Sequence, residues 1–181
     1  MGELLMSPKK SLIIKTAFYL ALWVFVIAAF FTAPPGNEMG MVITYFWLVI
    51  PVVTCIIAML METDIVTICE KSSPAVSAAK RNVIMILSFG IMSMLLPMLI
   101  FGLAGGGGIK GVFAYFPDSV GQLIAGAVAA AVGAAVGNSV TDIEDKKKTR
   151  KRVLIASAVI IGVPVLLAAI VSLGMMSEWD I

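Results

Sequence analysis

SVGQLIAGAVAAAVGAAVGNSV, residues 119–140, carries no charge, and half of it is Gly or Ala. At about 1.5 Å per residue, a helix of that length crosses about 30 Å of hydrocarbon. TDIEDKKKTRKR, residues 141–152, follows at once and is the densest charge cluster in the chain. The pair reads as a membrane-spanning helix with a small-residue face, followed by its anchor on the cytoplasmic side.

The rest of the chain agrees with that solvent. Of 181 residues, 60% are hydrophobic and only 13% charged, and the mean hydropathy is +1.05. Soluble domains run near 45–50% apolar and about 25% charged. A chain this short cannot hide the excess in one water-soluble core. The sequence therefore predicts an all-α, polytopic integral membrane protein, multi-pass in the cytoplasmic membrane.

Four further apolar runs flank the first. Residues 12–33 follow Lys9 and Lys10, and the run is longer than a usual signal core, so it reads as an uncleaved anchor with Lys15 snorkelling at its inner end. Met6 stands where the N-myristoylation pattern wants Ser or Thr. Pro34-Pro35-Gly36-Asn37 is turn chemistry. The second run is 41–61, and its helix is expected to run on past Glu62 and Asp64 until Lys71-Ser72-Ser73-Pro74 ends it. The third is 82–103, and the fifth is 153–174. Residues 104–118 contain four consecutive glycines, Gly105 to Gly108, and read as a flexible external loop. Residues 141–152 form a cytoplasmic basic loop.

Lys9, Lys10, Lys15, Lys71, Lys80 and Arg81 share one side of this five-helix bundle with the 141–152 cluster, leaving Lys110 alone on the other. The positive-inside rule then places the N-terminus in the cytoplasm and the C-terminus outside.

Several chemistries are disfavoured. There is no histidine, which removes His-ligated metals and haem and His-based triads. Cys55 and Cys69 form no disulfide framework. Nothing in the sequence points to a cofactor, a metal or nucleic acid. Between the interfacial residues, the five runs read as free of Asp, Glu, Lys and Arg. Their few polar groups are Thr54, Ser88, Ser93, Gln122, Ser157 and Ser172. A coupled pump usually needs a buried ionisable group.

The candidate functional residues follow from spacing. Gly126, Ala130, Gly133 and Gly137 lie on one helix face and would admit close packing, either within this chain or against a partner. Pro51, Pro97 and Pro164 sit within runs and are candidate hinges. Glu62 and Asp64 are the best-placed acids, as cation ligands or as interfacial ion-pair partners. Lys146, Lys147, Lys148, Arg150, Lys151 and Arg152 suit anionic lipid headgroups or simply enforce topology. The leading expectation is a non-catalytic membrane subunit that packs with other subunits or with copies of itself through the fourth run, 119–140, and its Met-, Ala- and Gly-rich neighbours. A small oligomeric transporter or channel is the alternative. A membrane enzyme using Glu62, Asp64 or Asp118 ranks last.

Overall fold

The computed structural model describes residues 8–31, 49–72, 78–104, 108–114 and 116–177. The Pro34–Asn37 turn, the first part of the second apolar run (41–48), Gly105–Gly107 and the C-terminal residues 178–181 lie outside them. Every regular element described is helical: α1 (Pro8–Phe31), α2 (Ile50–Ser72), α3 (Ala78–Ala104), α4 (Gly108–Ala114), α5 (Phe116–Val140) and α6 (Lys146–Ser177). Three stretches, Ile50–Ile68, Lys80–Leu99 and Ser119–Val140, are long and apolar enough to cross a membrane.

Contacts fix the helix directions. Lys15 of α1 reaches Leu60 and Asp64 while Tyr19 reaches Thr54, so α1 and α2 are antiparallel. Glycines 133 and 137 of α5 lie against Cys55 and Met59 of α2 in rising order, so those two are parallel. Arg81 at the start of α3 and Gly137 near the end of α5 both meet Glu62, while Gly90 crosses Gly126 further along, so α3 and α5 are antiparallel. α5 is the central rod, packed on α2 and α3 at once.

The interior is built from Tyr19, Trp23, Ile57, Met85, Phe89, Ala130 and Ala134. Tyr19 sets its ring edge-on to Phe89 at 4.9 Å, the geometry aromatic quadrupoles favour. Buried beside them are Thr54, Ser93, Gln122 and Glu62. Meanwhile Phe18, Phe25, Leu87, Ile124, Val128 and Leu166 stand exposed. Polar side chains inside and large apolar ones outside suit hydrocarbon surroundings, where only internal partners satisfy polar groups.

Two expectations need correction. The 104–118 stretch is not all loop, since α4 occupies 108–114. Gly102 and Gly111 explain it: a Cβ on Gly111 would stand 2.6 Å from the Gly102 carbonyl oxygen. Glycine here permits backbone-to-backbone docking that outweighs its poor helix propensity. Gly108 opens α4 at φ +54°, a left-handed conformation that suits glycine. Second, the apolar stretch of α2 runs Ile50–Ile68 and takes in Glu62 and Asp64, seven residues past the end expected for the second run.

Candidate functional site

The helical stripe Thr54–Ala58–Glu62, spaced by four, points inward on α2, and all three residues are fully buried. Small Ala58 lets α5 approach, and Glu62 then lies between Arg81 of α3 and Gly137 of α5 at one end of the bundle. Arg81, at the start of α3, donates to Glu62 Oε1 from Nη2 at 3.3 Å and from Nε at 3.4 Å. Its other oxygen, Oε2, is buried without a hydrogen-bond partner, as is Asn82 Oδ1.

Two residues further along α2, Asp64 Oδ2 accepts from Lys15 Nζ at 2.6 Å, and Lys15 Nζ also donates to the Leu60 carbonyl at 2.8 Å. Lys15 thus turns inward onto α2 and caps an ion pair instead of snorkelling. Deeper in the bundle, the Tyr19 hydroxyl shares hydrogen bonds with Thr54 Oγ1 at 3.0 Å and Ser93 Oγ at 3.4 Å. These contacts stitch α1, α2 and α3 together. The sequence placed the acids beside the linker that bears Arg81, but it named neither Lys15 as the partner of Asp64 nor Tyr19 as the partner of Thr54 and Ser93. A stripe read from periodicity shows which face a residue takes and leaves its neighbour across the bundle undetermined.

The small-residue face of α5 is occupied by this chain's own helices. A Cβ on Gly126 would run into Ser93 and stand 3.2 Å from the Phe89 carbonyl. One on Gly133 would strike the Cys55 carbonyl and lie 2.9 Å from Ala58 Cβ. One on Gly137 would sit 2.6 Å from the Met59 carbonyl and 2.9 Å from Glu62 Cβ. Ala130, between them, is fully buried.

The candidate hinges separate. Pro97 is buried inside α3, where it withdraws the donor that the Ser93 carbonyl would otherwise receive. Pro51 lies in the first turn of α2 and Pro164 inside α6. Both line one open apolar groove of about 740 Å³ between α2, α5 and α6.

The basic turn is tightly built. Asp145 Oδ1 accepts from the backbone N–H of Lys147 at 2.9 Å and of Lys148 at 3.1 Å, making it the N-cap of α6. The Thr149 hydroxyl accepts from Asp142 N at 2.7 Å and donates to Asp142 O at 2.8 Å. Lys148 pairs with Asp142 at 2.9 Å. That hydrogen bond, with one from the Asp145 N–H, holds the Asp142 carboxyl below its ordinary range. Lys146, Lys147, Lys148, Arg150, Lys151 and Arg152 all stand exposed on this turn.

Among the described residues, no three Cys, Asp or Glu side chains converge as a metal site. Comparison with protein families, with curated proteins and with solved structures found no match to this chain.

Proposed function

We propose that the chain is a non-catalytic integral membrane subunit with five spans, its N-terminus cytoplasmic and its C-terminus external, that packs with partner chains through α6. The observation that carries this reading is the contrast between α5 and α6. The small-residue face of α5 is spent inside the bundle. On α6, Leu154, Ala158, Ile161 and Val165 form an outward stripe at helical spacing, with Leu154 72% and Val165 59% exposed. A stripe of that kind fits a partner helix in lipid.

The five-span topology draws support from charge. Lys15, Arg81 and the 141–152 turn gather at one end, and Lys110 lies on α4 at the other. Membrane lipids are the second partner. Purification in mild detergent with mass determination tests the reading. Co-purifying chains that are lost in Ile161→Trp are expected, and a stable lone monomer overturns it.

A small transporter or channel is favoured by one observation, the buried Glu62 with an unpartnered oxygen. Flux in liposomes holding only this chain, abolished by Glu62→Gln, would establish it. Inert liposomes retire it.

A further inference from the structure

We propose that Lys148 and Arg152, with the apolar groove between α2, α5 and α6, form a seat for one anionic glycerophospholipid. Its phosphate lies at the two cations and one acyl chain lies in the groove. The inference rests on the membrane reading above and adds a ligand of defined chemistry.

Register comes first. Val159 and Val163 line the groove, and they follow Arg152 by seven and eleven residues, two and three helical turns. All three therefore share a face of α6. Lys148 precedes Val159 by eleven and joins that face. Depth comes second. Eleven residues rise about 16 Å at about 1.5 Å each, and one leaflet is half of a hydrocarbon core about 30 Å thick. A chain whose headgroup rests at Arg152 ends beside Val163.

Chemistry comes third. Pro51, Cys55, Val128 and Val132 are among the other residues of the groove wall, which extends to Gly121 and Ile124 of α5, and its volume of about 740 Å³ lies within the range of about 300–1,000 Å³ typical of ligand pockets. An apolar wall alone would take any hydrocarbon. Arg152 and Lys148, two and three helical turns beyond the Val159 end of that wall, select an anion at the depth of a headgroup. Lys148 is half exposed and already bonds Asp142, yet an ammonium carries three donors, and the turn holds six cations against three acids. A second copy of this chain docked in parallel would bring its own cationic turn to the same end, like against like. An anionic lipid brings the opposite charge.

Native mass spectrometry of the detergent-solubilised full chain, with phosphatidylglycerol or phosphatidylcholine added, tests the seat. One phosphatidylglycerol retained per chain, in clear preference to phosphatidylcholine, is expected. The double variant Lys148→Gln/Arg152→Gln should weaken its retention about tenfold or more. Val163→Phe, which fills the groove at a half-exposed position, should weaken retention with the cations intact, and Lys110→Gln at the far end should change nothing. Equal retention of the two lipids overturns the proposal, as does indifference to both the double variant and Val163→Phe. Failure of the wild-type chain to enter liposomes at all would instead sink the membrane reading itself.

Discussion

At the scale of single residues, burial decides which charges matter. Glu62 is fully buried and its partner's side chain is only 13% exposed, so water screens the pair weakly. Removing one member of a buried pair strands the other, at a cost of about 3–5 kcal/mol, whereas replacing both can be near neutral. Arg81→Met is therefore expected to lower thermal stability in detergent sharply, with Glu62→Gln/Arg81→Met recovering much of the loss. Strictly additive losses would show that the two side chains do not interact. Asp142 lies outside the spans and behaves differently. Its carboxyl is held down by the Lys148 hydrogen bond and the Asp145 N–H, so its contribution is present above the unfolded-state value, about 3.9. That contribution is lost only as pH falls through the lower folded-state value. Carboxyl-carbon NMR should place its midpoint below that of free Asp, and Lys148→Met should move the midpoint upward. A midpoint unaltered by that substitution would exclude Lys148 as the main cause.

Individual helices show how far local pattern carries. The spacing of Gly126, Ala130, Gly133 and Gly137 marks one close-packing face, and the bundle uses all four positions on α2 and α3. Gly133→Val should then destabilise by about 1–3 kcal/mol, because overpacking forces backbone to move. Val132→Leu, next in sequence but half exposed, should leave thermal unfolding in detergent unchanged. Equal effects from both would mean that α5 is not held by that face. Helix content, the run of α2 past Glu62 and Asp64 to Ser72 and the cationic turn were all legible in the sequence, since each rests on local chemistry. α4 was not, because it begins at the last residue of a four-glycine run, and the close approach of Gly111 to Gly102, nine residues apart, is a contact that only the fold shows. The Tyr19 hydroxyl escaped for a related reason. Within an apolar run an aromatic ring reads as lipid-facing, and only the fold brings Thr54 and Ser93 to it.

For the molecule as a whole, the governing quantity is the free energy of placing charge relative to the bilayer. Arg or Lys at a span centre costs about 2.5–3.5 kcal/mol on insertion scales, so cations collect at helix ends, and the fold collects nearly all of them at the same end. Lys15 and Arg81 reach that end through their acids on α2. The exposed turn at 146–152 lies there because α5 runs parallel to α2 and terminates beside Glu62. Lys110 rides on α4, which docks at the opposite end of α3. Single cysteines introduced as Lys110→Cys and Lys147→Cys, with Cys55 and Cys69 replaced by Ala, report this separation directly. A maleimide that cannot cross the bilayer should modify position 110 in intact cells and position 147 only after permeabilisation. Both sites lie on described, exposed surface, so neither result can be blamed on burial. Modification of both from outside would require the two ends of α5 to share one leaflet. A helix of 25 residues, about 37 Å long, cannot do that while it crosses the membrane, so that outcome would remove α5 from the bilayer and the five-span topology with it.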